Sequence, residues 1–232
     1  DFLDKAKKEL NALVMYDENR EALIKECDKA YKEAEKLAKA LSEKRRATSS
    51  EFADKVCEEM AFLDMPNVKL VVVQEKCELN SLGCDNIEFL ISTNPGEPPK
   101  PISKIASGGE LSRMMLAVKN VLSDKDDIDT LIFDEVDTGI SGSAAQKVGL
   151  KLREVSKSRQ VLCVTHLAQI AAMGNSHFKI SKSVRDEKTF TKVEELDHEG
   201  RKQELARIIG GTEMTKASLD YAEEMLRAGE NI

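Results

Sequence analysis

The 232 residues, 41% of them hydrophobic, suffice to bury a core, either as one large domain or as a domain with an extension. A charged fraction of 33% against 4% aromatic, with no Trp, is the balance of long solvated helices rather than of a compact aromatic core. The formal net charge of -7 argues against a protein that coats nucleic acid through its overall field, although a local basic patch could still touch phosphates.

Along the chain, the first segment carries a heptad seam. Leu3, Leu10, Ile24, Tyr31, Ala38 and Phe52 recur in steps of seven or its multiples, with Ala6, Leu13, Cys27, Ala34 and Leu41 as companions. The seam is interrupted at Asp17-Glu18-Asn19-Arg20 and fades after Leu41. Residues 1–62 are therefore expected to form a coiled-coil arm and residues 63–232 a separate α/β lobe. An amphipathic helix packed on its own domain is the alternative, because many small or polar residues occupy the seam. Lys44-Arg45-Arg46, the compact basic cluster of this arm, is expected to be a solvated face.

After Met65-Pro66, the runs Val68 to Val73 and Ile87 to Ile91 are short, β-branched or aromatic, and bounded by turn residues, so both predict strands. The stretch from Asn94 to Pro101 holds four of the five prolines and predicts a loop. From residue 104 onward, helical and strand patterns alternate. Helices are predicted near 108–122, 143–156, 167–173, 202–209 and 215–228, and strands near 130–134, 160–165, 178–181 and 190–196. Such alternation indicates a parallel α/β sheet with helices on its faces.

Three places carry chemistry. In Ser107-Gly108-Gly109-Glu110, a Ser with a Glu three residues on is a capping box that starts a helix. The two glycines would leave first-turn N–H groups unobstructed where the helix dipole favours an anion, so a phosphate could dock there. A well-made helix start with no ligand explains the same residues. Next, Thr130 to Phe133 is an apolar strand ending in Asp134 and Glu135. Ligands of open parallel sheets sit beyond the carboxyl ends of the strands. Asp134 suits a hard cation such as Mg²⁺, and Glu135 suits orienting or deprotonating a water; a solvated strand end is the plain alternative. Finally, Val161 to Val164 leads to Thr165 and His166. If that strand neighbours the previous one, His166 lies near Glu135 and can donate to a phosphate oxygen or a water. The linking turn Val136-Asp137-Thr138-Gly139-Ile140-Ser141-Gly142 makes Asp137 a further candidate, while His177 and His198 are expected to be structural or exposed.

The five cysteines form no C-x-x-C pair and have no His at metal-ligand spacing, which points to reduced thiols in a cytoplasmic protein. No apolar run approaches the ~20 residues of a membrane span, so no membrane partner is expected. A chain that opens on Asp1 rather than Met suggests a piece of a longer protein.

The order of these motifs resembles the ABC/SMC ATPases, in which a signature helix start precedes a Walker B strand, a D-loop and a switch-histidine strand. The strings I-A-S-G-G-E-L-S-R, L-I-F-D-E-V-D-T-G-I-S-G and V-L-C-V-T-H-L-A-Q-I-A-A-M, with N-P-G-E-P before and E-L-A-R-I-I-G-G after them, are similar to the SMC-like DNA-repair branch of that family. The resemblance implies the C-terminal lobe of a P-loop ATPase head with the returning arm of an antiparallel coiled-coil hairpin, and ATP and Mg²⁺ as cofactors. It implies that Ser107, Gly108, Gly109 and Glu110 form a signature meeting ATP bound on an opposing head. Asp134 would support Mg²⁺ through water, Glu135 would polarise the attacking water, Asp137 would be the D-loop acid and His166 the switch His. Implied partners are an N-terminal lobe carrying the Walker A loop, a second head across ATP, and DNA at double-strand breaks in the nucleoid. No G-x-x-x-x-G-K-[ST] occurs in the chain, so the phosphate cradle would come from another segment and the chain alone should be inactive. A noncatalytic coiled-coil adaptor and a free-standing metal phosphohydrolase built on Asp134, Glu135 and Asp137 remain alternatives from other classes.

Overall fold

The computed structural model describes the chain except residues 1, 106, 124, 126, 186, 187, 212, 231 and 232, with the side chains of 12–14, 17, 18 and 185 also set aside. Two compact units emerge, Asp1–Glu51 with Val72–Phe89, and Phe52–Val71 with Leu90–Ile232.

Helix α1 (Phe2–Phe62) starts in the first unit and ends in the second. It runs without a break through Asp17 to Arg20, so the interruption belongs to the seam and not to the helix. Along the seam, Leu3, Leu10, Ile24 and Tyr31 are all exposed, whereas Ala38 is buried.

Strands β1 (Lys69–Asn80) and β2 (Gly83–Ser92) extend well past the apolar runs that predict them. The added residues are mostly polar, Leu79 and two cysteines apart, and what joins the strands is turn chemistry. Asn80 Oδ1 accepts the Leu82 N–H at 2.8 Å, and Gly83 adopts φ 111°, a conformation that side-chain-bearing residues rarely reach. A polar network ties this hairpin to α1 within the first unit. The buried carboxylate of Asp85 accepts from Ser42 Oγ at 2.8 Å and from Arg45 at 3.3 Å, and Gln74 donates to Ser42 Oγ at 2.9 Å.

The proline-rich stretch is not wholly loop. Lys100–Pro101 forms a two-residue strand, β3, antiparallel to β2 with Ile91 opposite Lys100. It lies at the edge of the order β1-β2-β3, the place where a residue without an N–H is tolerated. A 3₁₀ turn, Ile102–Lys104, follows.

The second unit contains α2 (Gly108–Val121), β4 (Thr130–Phe133), α3 (Gly142–Val155), β5 (Gln160–Cys163), the short α4 (Ala168–Ala171), β6 (His177–Arg185), β7 (Lys188–Leu196), α5 (His198–Gly210) and α6 (Lys216–Glu230). The predicted α/β alternation holds, but the strands do not make one broad sheet. Strands β4 and β5 form a parallel pair with Phe133 opposite Cys163, and β6 and β7 form a separate antiparallel hairpin. Leu131 and Phe133 of β4, Met114 and Leu116 of α2, Val136, and Val148 and Leu152 of α3 are buried. Ala168, Ala172, Leu205, Ala206, Ala222 and Leu226 form a second cluster where α4, α5 and α6 meet.

The other face of the parallel pair is bare, with Ile132 71%, Leu162 44% and Val164 55% exposed. A parallel sheet is normally covered on both sides, and these strands read as continuous apolar runs for that reason. No helix among the described residues is long and apolar enough to cross a membrane.

Candidate functional site

The site grows from two neighbouring strand ends and one helix start, all within the second unit. Ser107 is the N-cap of α2 in extended conformation, and its side chain accepts the Glu110 N–H at 3.4 Å. This is the helix start the sequence predicts. The first turn is not open, however. A Cβ on Gly108 would overlap Oε2 of Glu135, and one on Gly109 would stand 2.6 Å from the backbone oxygen of Thr138. Both glycines are thus explained by close approach of the turn that follows β4.

That turn is clamped to α2 by two residues to which sequence reasoning gave no role. Ser112 Oγ donates to the carbonyl of Asp134 at 2.6 Å, and Arg113 donates to the carbonyls of Val136 at 3.3 Å and Thr138 at 2.8 Å. Arg113 is buried with Nε lacking a hydrogen-bond partner among the described residues; burial lowers its pKa, against an opposing pull from the charge of Glu110. The spacing indicates only which helix face the two residues share. Ser112 and Arg113 stand four residues after Gly108 and Gly109, so each shares a helix face with its glycine.

Asp134 and Glu135 are exposed at the carboxyl end of β4. The Glu135 N–H donates to Asp134 Oδ1 at 2.9 Å, and Glu135 itself has φ 56°. Left-handed backbone in a residue with a long side chain costs of order 1–3 kcal/mol and is concentrated at functional positions.

Asp137 is 3% exposed and gathers the end of β5. Its Oδ2 accepts from Thr165 Oγ1 at 2.5 Å and from the His166 N–H at 2.9 Å, and His166 Nδ1 lies 3.1 Å away. Thr165 Oγ1 in turn accepts the Leu167 N–H at 3.1 Å. Among the described contacts His166 meets Asp137 rather than Glu135. The imidazole is otherwise exposed. Beneath the site, the Cys163 thiol is pushed up to about 12 by burial and by the charges of Asp137 and Asp134.

The remaining histidines lie elsewhere. His177 is half-buried at the start of β6 with Nε2 against the Ala171 carbonyl, and His198 is exposed at the start of α5. Among the described residues no three His, Cys, Asp or Glu side chains are grouped to hold a metal ion. The pair Asp134 and Glu135 fits instead the ion that keeps its waters and binds through one or two carboxylates and substrate phosphates.

Helices beside a parallel strand pair, with acids at one strand end and a histidine at the next, make up a lobe with the fold of an SMC head. The fold is similar to that of an Smc head domain with a coiled coil and joint from Pyrococcus yayanosii, at 21% identity over 72% of this chain and 30% of that one, with TM-score 0.52. No protein-family model matches the chain. The chain belongs to the RecN family. It is 42% identical over 224 residues to the DNA repair protein RecN of Haemophilus influenzae, covering 96% of this chain and 40% of that protein. With RecN of Bacillus subtilis it shares 36% over 248 residues, covering 100% and 43%, and with that of Treponema pallidum 39% over 236 residues, covering 99% and 41%. The chain thus spans about two fifths of the length of these relatives, and corresponds to their C-terminal part.

Proposed function

We propose that this chain is the C-terminal lobe of an SMC-like DNA-repair ATPase head, which hydrolyses ATP once a second segment supplies the Walker A loop. The observation that carries the reading is the meeting of Asp134, Glu135, Asp137 and His166 at two adjacent parallel strand ends, where ligands of such sheets sit. Residues 1–62 are the returning arm of a coiled-coil hairpin and residues 63–232 the lobe. The exposed seam of α1 and the bare face of β4 and β5 both support partners, an outgoing arm for the first and the N-terminal lobe for the second.

In this reading, phosphoryl transfer is accelerated by positioning and charge stabilisation rather than by covalent chemistry. Bound ATP with Mg²⁺ would supply the reacting phosphate and the positive charge that offsets the negative charge developing on it. Asp134 would hold Mg²⁺ through a water, and Glu135 would accept the proton of the attacking water. His166 lies at the neighbouring strand end as the switch residue. Asp137 belongs to the turn facing the second head, and Ser107, Gly108, Gly109 and Glu110 present the helix start to ATP on that head. Because Glu135 rests on Gly108, an arriving phosphate must move the carboxylate aside. The whole protein acts in DNA repair, as the naming of its relatives supports, and within this proposal its substrate is the DNA double-strand break in the nucleoid.

The test uses the complete protein carrying Glu135→Gln. Hydrolysis should fall by about 10²-fold or more, the range for a lost general base, while ATP-dependent head dimers persist. Undiminished hydrolysis would remove Glu135 from the mechanism. The 232-residue chain by itself should turn over no ATP, and turnover at the rate of the complete protein would overturn the half-site reading.

A further inference from the structure

Oδ2 of Asp137 meets three polar groups of the segment after β5: the Thr165 hydroxyl at 2.5 Å, the His166 N–H at 2.9 Å and His166 Nδ1 at 3.1 Å. The carboxylate is 3% exposed, so water does little to screen it. An Nδ1 lone pair turned toward that oxygen would be repelled, whereas an Nδ1–H is attracted. The identity of the protonated ring nitrogen is set by what the other atoms of its surroundings demand of it. Thr165 reinforces the arrangement, since its oxygen takes the Leu167 N–H at 3.1 Å and so spends its own hydrogen on Asp137.

We propose that Asp137 is the positioning residue for His166, holding the imidazole as the Nδ1–H tautomer and leaving Nε2 as the ring nitrogen offered to the reaction. The consequence for His166 rests on the ATPase reading. A neutral His166 then accepts a hydrogen bond at Nε2, from water or a hydroxyl, and donates to a phosphate oxygen only as the imidazolium. This narrows the expectation that His166 is simply a donor. It also gives Asp137 a task within its own lobe, separate from any contact across a head dimer.

The experiment is long-range ¹H–¹⁵N correlation NMR of the uniformly labelled chain, titrated upward until its 3 histidines are neutral, with His166 assigned by the loss of its signals in His166→Gln. The expected result is a protonated Nδ1 and an unprotonated Nε2 for His166. In Asp137→Ala the major tautomer should invert to Nε2–H, and in Asp137→Asn, whose amide oxygen still accepts, it should not. An Nε2–H tautomer in the wild type, or an unchanged tautomer in a folded Asp137→Ala, overturns the inference. Should Asp137→Ala fail to fold, the wild type and Asp137→Asn decide it, both Nδ1–H supporting and a wild-type Nε2–H refuting. In the complete protein, Asp137→Ala and His166→Ala should lower kcat without adding in the double variant. An Nδ1–H tautomer together with hydrolysis indifferent to either change would remove His166 from the hydrolytic site and leave the positioning intact.

Discussion

The Glu135 carboxylate occupies the space that a side chain on Gly108 would need. Its neighbour Gly109 is blocked instead by the backbone oxygen of Thr138, where an added Cβ would stand 2.6 Å away. A flexible side-chain end can swing aside, but a backbone carbonyl held by Arg113 cannot. Gly108→Ala should therefore change stability by no more than about 0.5 kcal/mol, while Gly109→Ala should cost about 1–3 kcal/mol through overpacking. Urea melts of the two variants measure the contrast. In the complete protein Gly108→Ala should also slow hydrolysis at least about tenfold, because the added methyl stands at the helix start proposed to receive the phosphate. Equal melts for the two variants would show that the turn after β4 is looser than its hydrogen bonds indicate.

Glu135 carries the second prediction through its φ of 56°. Glycine adopts that conformation without steric penalty, at the expense of a more flexible unfolded chain, and the two effects are of similar size. Glu135→Gly should thus leave the urea midpoint unchanged or raise stability by up to about 1 kcal/mol, and abolish hydrolysis in the complete protein. A clear loss of stability would mean that the side chain contributes to folding and that the backbone conformation is no sign of a functional constraint.

The legibility of this chain follows from which signals were local. The capped start of α2, the apolar strands β4 and β5 and the acids closing β4 all lie within a few consecutive residues, and the structure has them where the pattern put them. The second half of the β1–β2 hairpin was hidden because Gln74 to Asn80 is mostly polar and its turn depends on Asn80 and Gly83 rather than on a β-branched run. The clamp of Ser112 and Arg113 onto residues 134–138 and the partnership of Asp137 with Thr165 and His166 join positions more than 20 apart. No spacing rule reaches that far. The seam reads as one arm of a coiled coil, but the bare face of the parallel pair was not legible, because an apolar run announces that it will be covered, not by what.

Cys163 offers a chemical check on the environment under the site. Burial and the charges of Asp137 and Asp134 push its thiol up to about 12, so thiolate is scarce at neutral pH. Cys27 and Cys77 are exposed. Iodoacetamide at neutral pH should modify those two first and Cys163 only after denaturation, as read by peptide mass spectrometry. Removing a nearby charge with Asp134→Asn should bring Cys163 alkylation forward. Modification of Cys163 at the rate of Cys77 would mean that neither burial nor the strand-end charges suppress its thiolate.

His177 sets a pH dependence of folding. Its pKa is lowered from 6.5, chiefly by burial; the Ala171 carbonyl and Glu204 act to raise it, and Arg201 joins burial in lowering it. The native protein therefore prefers the neutral ring. As pH falls through 6.5 the unfolded chain takes up the proton first, so the unfolded state holds more protons than the native one and stability declines until the lower folded pKa is passed. The contribution is fully present above the unfolded value. Glu204, whose pKa lies below 4.5 because bonds from Arg207 and Lys179 outweigh its burial, loses its contribution at more acid pH and does not overlap this window. Thermal melts between about pH 7.5 and 5.5, which bracket the ordinary histidine range, should show a falling midpoint in the wild type and a shallower fall in His177→Gln. His166 and His198 are present in both proteins and cancel in the comparison. A slope unchanged by the substitution would assign the acid sensitivity to another group.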